Sequence, residues 1–309
     1  MKKFSLIGAA GFVAPRHFRA IKDTGNQLVS IFDIHDKMSA VDNYFPKTAC
    51  FSKINDYHNF HNYSQNNLDF VSICSPNHLH FEQIEWAIGK QSTVICEKPL
   101  VLLPNQLDYL SELEHKFQRN IYTILQLRLL DSVRKLKSTI ETANTSEKYK
   151  VEITYISARG NWYFNAWKGN EEKSGGLMTN IGIHLFDLLL WLFGPVEKNI
   201  LHHSSSSVAS GFLELEKAKV SWFLSVDAQF LPPEIESNQK QSFRSLTVNG
   251  DTIRLDEGFE NLHTLSYQEI FNGNGARINT AAPSIQLCHT LRHQEISDEG
   301  QKHKILIEN

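Results

Sequence analysis

Apolar residues in the first part of the chain fall in short runs, KFSLIG, QLVSIFD, DFVSICSP, STVICEKP and NIYTILQ, rich in β-branched and aromatic side chains. Runs that short, apolar at consecutive rather than alternate positions, suit strands buried on both faces. Between them HFRAIKDTG, HLHFEQIEWAIGKQ and NQLDYLSELEHKFQ repeat apolar residues at helical spacing, and TACF adds a weaker strand. Strands alternating with helices predict βαβ units and a parallel sheet.

After a further helical stretch, LLDSVRKLKSTIETA, the polar segment NTSEKYK marks a boundary, and the pattern changes. VEITYIS, SSVASGFLELE, KVSWFLSVDA, SFRSLTVNG and DTIRLDEG read as an antiparallel sheet, with NG as a hairpin signal. One apolar helix, TNIGIHLFDLLLWLFG, interrupts them and stops at Gly194–Pro195. HHSSSS is expected to be a turn or strand end. The expectation is an α/β protein: an N-terminal parallel-sheet domain over 1–125, then an α+β domain over 126–309 with a large, mostly antiparallel open sheet. Residues 126–148 bridge the two. A length of 309 residues agrees, since a single core stops growing near that size.

The opening MKKFSLIGAAGFVAPRH could be a secretory signal, a buried strand or a phosphate-holding loop. No small-residue cleavage site follows the apolar run, and PRHFRAIKDTG continues at once as a helix, so a folded strand and a cytoplasmic protein are expected. A net charge of -3 without long basic runs argues against nucleic-acid or anionic-membrane partners. Cys50, Cys74, Cys96 and Cys288 form no CxxC pair, which speaks against a disulfide framework or structural zinc. No stretch reaches the ~18 apolar residues of a membrane span; LFDLLLWLF is interrupted by Asp187.

Candidate chemistry begins in the same opening. Gly8, Gly11 and Ala14 are spaced GxxGxxA between a strand and a helix, where the backbone could approach a pyrophosphate and the helix start offers unpaired N–H groups. Alone, the turn fits a ligand-free corner equally well. Asp33 follows at the end of the second strand, about 20 residues beyond the second glycine, where a carboxylate accepts ribose hydroxyls and repels a 2′-phosphate. Asp33 could otherwise cap a following helix. The ordered set of strand, turn, helix, strand and acid favours a Rossmann domain that binds NAD rather than NADP. Arg16 and His17 open the helix beside that turn.

Lys98, in EKP, is steered away from helical angles by Pro99 and held at the carboxyl end of a parallel strand, where such sheets bind ligands. A surface lysine paired with Glu97 is the plainer alternative. On the apolar helix, Asn180, His184, Asp187 and Trp191 recur at spacings of four, three and four, a polar stripe needing internal partners or a ligand. His184 suits proton acceptance near neutral pH, and Asp187 could simply satisfy it. The aromatics of GNWYFNAW lack a period of two and suit a pocket-lining loop better than a core strand. LHTLSYQEIFNGNG is expected to be a scaffold helix, with little role for Thr264 or Tyr267.

These motifs, with SPNHLH at 75–80, EKP at 97–99 and GGLMTNIGIHLFD at 175–187, resemble the Gfo/Idh/MocA family of sugar dehydrogenases over essentially the whole chain. IGAAGFVAPRH, CEKPL, SARGNWY and TNIGIH look most like a subgroup that oxidises UDP-N-acetylglucosaminuronic acid. The resemblance implies NAD as cofactor, no metal, a UDP-linked amino-sugar uronate as substrate, a role in surface polysaccharide (O-antigen) synthesis, and a homotetramer joined through the open sheet. It implies Lys98 and His184 as catalytic. On the cofactor side it implies Gly8, Gly11, Phe12, Val13, Asp33, Ser75, Pro76, Asn77, His80, Glu97 and Trp162. On the substrate side it implies Arg16, Arg159, Asn161, Tyr163, Trp167 and Asn180, with Arg159 or Arg16 for the uronate carboxylate or the diphosphate. The glycine turn is one residue longer than the usual form, as in the subgroup. Asn180 stands where many members have Asp, which leaves proton handling to Lys98 and His184. Two alternatives stay open: another sugar or cyclitol dehydrogenase, and a non-catalytic NAD-binding regulator.

Overall fold

The first six apolar runs form strands β1 (Lys3–Ile7), β2 (Gln27–Phe32), β3 (Ala49–Phe51), β4 (Phe70–Ile73), β5 (Thr93–Cys96) and β6 (Ile121–Thr123). In this computed structural model, which describes all residues except 64–66, 144, 239, 257 and 309, they make one parallel sheet in the order β3-β2-β1-β4-β5-β6. Asn144 of NTSEKYK and Glu257 of DTIRLDEG therefore lie outside the described residues. Phe4, Leu6, Ile31, Val71, Ile73, Val94 and Ile95 are fully buried, as strands covered on both faces require. The opening apolar run is thus a central strand. The winding reverses between β1 and β4, and at such a switch the carboxyl ends of the strands leave a crevice for a ligand.

A linear division at residue 125 is not what the chain adopts. The first compact unit comprises 1–126 and 261–282; the second comprises 127–260 and 283–309. The helix Leu262–Phe271 returns to the parallel sheet because its apolar face finds aromatic partners there: Tyr267 lies 5.9 Å from the Phe4 ring, and Phe271 meets Phe70 edge-on at 5.5 Å. Two of the longer helices escape the apolar pattern. Ile54–Tyr63 is rich in Asn and His, and Ile278–Arg292 carries Pro283 in its interior.

In the second unit, β7 (Tyr149–Ser157), β8 (Val196–Ser204), β9 (Val208–Leu215), β10 (Ala218–Ser225), β11 (Ser242–Val248) and β12 (Asp251–Arg254) form an unclosed sheet in the order β12-β11-β7-β10-β9-β8. Only β7–β10 is parallel. Asn249 and Gly250, both at positive φ, turn the predicted NG hairpin. Residues of β10 alternate faces: Trp222 meets Phe186 of the helix Ile183–Phe193, while Phe223 meets Phe230 and His303 on the other side.

The apolar helix is not continuous as expected. It breaks between Gly176–Asn180 and Ile183–Phe193, and the helical stretch Glu171–Asn180 is bent by 43° against Ile183–Phe193. Gly182 sits at the break, where an added Cβ would lie 2.5 Å from the Met178 carbonyl oxygen and 2.8 Å from Leu224. Asn180 therefore does not share a helix with His184, Asp187 and Trp191. Among the described residues no single helix is long and apolar enough to cross a membrane.

His303 closes the second face. Its Nδ1 accepts the Ile305 N–H at 3.2 Å and its Nε2 faces Thr154 Oγ1 at 3.1 Å, an arrangement that needs a neutral ring, and burial lowers its pKa to about 4. The unfolded chain takes a proton there below about pH 6.5, whereas the folded chain refuses it until about pH 4. Stability is therefore expected to fall as pH drops through that window. A melting-temperature profile checks this: His303→Gln should flatten its acid limb, and an unchanged slope would reject the assignment.

Candidate active site

In the first unit, β1 runs straight into Gly8, whose φ of +91° suits glycine. A Cβ at Gly8 would lie 2.5 Å from Ser75 N and 2.6 Å from Cys74 C, so the turn passes directly against the end of β4 at the switch point. Gly11 has less need of its glycine, its nearest obstruction being the Gly8 carbonyl at 3.1 Å. Phe12 is exposed with the Arg16 guanidinium 5.5 Å above its ring, and Val13 leads into the helix Ala14–Asp23, with Pro15 in its first turn. Asp33 caps no α-helix. Its Oδ2 accepts Ala10 N–H at 3.0 Å and its Oδ1 accepts His35 N–H at 2.9 Å, which ties the glycine turn to the end of β2 and leaves lone pairs for a ligand. A glycine cradle that a Cβ would fill, a helix N-terminus and an acid at the second strand fit a dinucleotide.

The 75–80 and 97–99 segments lie at the ends of β4 and β5. Ser75 Oγ donates to Gln83 Oε1 at 2.5 Å; Pro76 and the buried Asn77 continue the loop. His80 is fully buried, with Nδ1 2.7 Å from the Pro99 carbonyl and Nε2 3.0 Å from the Ser75 carbonyl. Its ring thus fastens the two segments together and does not face outward to a cofactor. Lys98 is half-buried, and its bond to Pro99 is cis.

Glu97 also turns inward. Its Oε1 lies 3.2 Å from His17 Nε2 and 2.9 Å from His263 Nε2, and His17 Nδ1 is 2.8 Å from Tyr267 Oη. Burial opposes ionisation of Glu97, but the hydrogen bonds from His17 and His263 hold its carboxyl well below the usual range. Burial lowers the pKa of His17. An anionic Glu97 beside a neutral His17 satisfies both. His17, which the sequence placed at an open helix start, is fully buried. Thr264 donates to Asp23, and Tyr267 is buried, so both belong to the scaffold.

The second unit carries the remaining residues. Tyr163 and Asn180 are buried and paired, Asn180 Nδ2 donating to Tyr163 Oη at 3.1 Å. His184 is half-buried in the first turn of Ile183–Phe193. Asp187 does not satisfy it: Arg128 donates Nε and Nη2 to the two oxygens of that carboxylate at 2.9 and 2.6 Å, and stacks over Trp191. Asn161 and Trp162 are exposed and Trp167 is half-buried.

Around them lies a cationic set that the sequence revealed only through Arg159. The Arg159 guanidinium stands 5.9 Å over Trp162, and Lys168 lies 5.7 Å from both Trp162 and Trp167. Arg244, opposite Tyr155 in the β11–β7 register, stands 4.5 Å over the Tyr155 ring and 5.3 Å over Phe259. Burial and the charge of Arg244 both disfavour the charged form of Arg159; burial and Arg159 do the same to Lys168. Among the described residues no carboxylate pairs with any of the three, and Arg244 Nε is buried without a hydrogen-bond partner. Half-buried cations that repel one another and lack a counterion have the chemistry to take up an anion. Arg244 and Lys168 were missed because their proximity to Arg159 depends on strand register and loop path.

Two family profiles match the chain: "Oxidoreductase family, NAD-binding Rossmann fold" over 2–124 and "Oxidoreductase family, C-terminal alpha/beta domain" over 147–227. The chain is similar to the WlbA (WbpB) dehydrogenase of Thermus thermophilus, solved with NAD and α-ketoglutarate, at 39% identity over 99% of this chain and 100% of that one, with a TM-score of 0.93. A structure of the same enzyme with NAD and UDP-GlcNAcA matches at 38% identity over the same shares, also at 0.93. Among curated proteins it is similar to glucose-6-phosphate 3-dehydrogenase of Bacillus subtilis, 29% identical over 62% of this chain and 54% of that protein. It is likewise similar to D-glucoside 3-dehydrogenase of Escherichia coli, 25% identical over 46% and 41%. The chain thus spans about half the length of the curated relatives it matches.

Proposed function

The chain belongs to the Gfo/Idh/MocA family of oxidoreductases, and from that premise we propose that it oxidises the 3-hydroxyl of UDP-N-acetylglucosaminuronic acid to the 3-keto sugar nucleotide, with NAD as cofactor. The observation that carries this reading is the whole-chain likeness to an enzyme crystallised with both NAD and that sugar nucleotide. Two further features support it. The names of both curated relatives refer to oxidation at the 3-position. The substrate's diphosphate and uronate carboxylate are anions of the kind that Arg159, Lys168 and Arg244 await.

NAD, when bound, accepts the carbon-bound hydrogen of the substrate as hydride. Gly8, Gly11, Phe12 and Val13 would hold its pyrophosphate at the turn, Asp33 would receive the adenosine ribose hydroxyls, and Ser75, Pro76 and Asn77 would form the loop over it. Lys98 and His184 handle the hydroxyl proton, and the chain mainly supplies orientation. Arg159 and Arg244 hold the anionic groups of the substrate, with Trp162 and Trp167 as aromatic walls and Asn161 at the rim. Tyr163 and Asn180 support that wall from beneath, and Arg16 stands beside the pyrophosphate turn. A cytoplasmic homotetramer whose product enters surface polysaccharide synthesis completes the proposal, on the strength of the family likeness.

The test is incubation of the purified protein with NAD and UDP-N-acetylglucosaminuronic acid, with and without an added 2-oxo acid to reoxidise bound cofactor. Mass spectrometry should show a sugar nucleotide two mass units lighter, formed with NAD in preference to NADP. Oxidation of free sugars or of glucose 6-phosphate alone would instead support the sibling dehydrogenase reading. Absence of any turnover would favour a regulator.

A further inference from the structure

Beneath Lys98 runs a buried hydrogen-bond chain that neither packing nor the proposed proton transfer uses. Ser72 Oγ lies 2.7 Å from Tyr267 Oη, which lies 2.8 Å from His17 Nδ1. His17 Nε2 and His263 Nε2 meet at Glu97 Oε1, while Glu97 Oε2 accepts the backbone N–H of Lys98 at 3.3 Å. With Glu97 ionised and His17 neutral, the protons fall into one order. Ser72 donates to Tyr267, Tyr267 to His17 Nδ1, and His17 and His263 each donate an Nε2–H to the carboxylate. The Glu97 carboxylate then has donors on both oxygens, as a buried charge requires.

A core needs no such charge, since apolar side chains of similar volume generally serve stability as well or better. The chain does, however, draw residues from the first helix, β4, the end of β5 and the returning helix Leu262–Phe271 onto one peptide group, the one that precedes the Lys98 side chain. We propose that His263, acting through Glu97, is a positioning residue for Lys98. The returning segment fixes the carboxylate, and the carboxylate fixes the backbone from which the lysine projects. The proposal rests on the reading of Lys98 as a proton-transfer group.

The test compares His263→Leu, which removes the donor, with His263→Gln, whose amide nitrogen can reach where Nε2 stood. With NAD and the sugar nucleotide, His263→Leu should lose about 10- to 100-fold in kcat, the value of a charge-assisted hydrogen bond, with KM and NAD affinity nearly unchanged. His263→Gln should recover most of the loss. Amide hydrogen exchange over a peptide containing 97–103 should quicken in His263→Leu and not in His263→Gln, which keeps the test usable if turnover is slow. Equal losses in both variants, a loss confined to KM, or unchanged exchange at 97–103 would overturn the proposal. If the native protein turns over and Lys98→Met is inactive while His263→Leu is normal, this inference alone fails. If native turnover is absent, or Lys98→Met is fully active, the functional reading fails with it. His17, Glu97 and His263 also place donor atoms within 4.8 Å of one another; one equivalent of zinc in the purified protein, with activity lost to a chelator, would replace the hydrogen-bond assignment by a metal site.

Discussion

Lys98→Met is expected to lower kcat about 10²- to 10⁴-fold, the usual contribution of a positioned acid or base, while NAD still binds. The substitution keeps the length of the side chain and removes only the ammonium group. The surrounding structure has little reason to change: Pro99 follows, the Lys98 N–H remains on Glu97, and His80 still fastens the turn to the Ser75 loop. KM for the sugar nucleotide should move less than kcat, because the lost interaction belongs to proton transfer. His184→Asn in parallel divides the labour. If Lys98 is the principal base, His184→Asn should cost less and raise KM. If the histidine is the base, the two losses should be comparable and the double variant little worse than either. Fluorescence titration with NADH provides the control, and a Lys98→Met enzyme of native kcat would remove the lysine from the mechanism.

The second large effect concerns affinity. Arg244→Met should raise KM for the sugar nucleotide about 10- to 100-fold with kcat nearly unchanged, the loss of a charged hydrogen-bond partner worth about 1.5–3 kcal/mol. Arg159→Met should behave similarly, and the pair should be less than additive if both hold one anion. Stability should move the other way. Arg244 leaves a buried Nε unpaired and disfavours the charge on Arg159, so replacing it relieves a cost of the free protein. A melting temperature equal to or above the native value, together with a weakened KM, is the expected signature. A lower melting temperature with unchanged KM would mean that Arg244 serves the sheet through its stacking on Tyr155. Arg244→Lys should rescue only in part, because an ammonium cannot grip an anion with two parallel donors.

Several elements could be read from local pattern because local pattern causes them. The apolar runs of β1, β2, β4 and β5 are buried on both faces, NG turns its hairpin, and Gly194 ends its helix. Others depend on atoms far away in sequence. TNIGIHLFDLLLWLFG has a helical period throughout, yet it breaks at Gly182, where an added Cβ would meet the Met178 carbonyl oxygen and crowd Leu224 of a distant strand. His184 and Asp187 look like partners at helical spacing, but Arg128 takes the carboxylate. Glu97 and His80 stand on the cofactor side by resemblance alone, and the hydrogen bonds that hold their side chains come from His263 and to the Pro99 carbonyl, which no local motif reveals.

By itself the sequence determined the alternation of strands and helices, the glycine turn followed by an acid, and the motif lysine and histidine, since periodicity, turn chemistry and residue type act over a few neighbouring positions. Only the tertiary structure decided that residues 261–282 belong with the first unit, that His17, Glu97 and His263 share one oxygen's surroundings, and that Arg244 joins Arg159 and Lys168. The reason is physical: a buried charge or an unpaired cation acquires its meaning from what stands within a few ångströms, and those neighbours arrive through strand register and chain return.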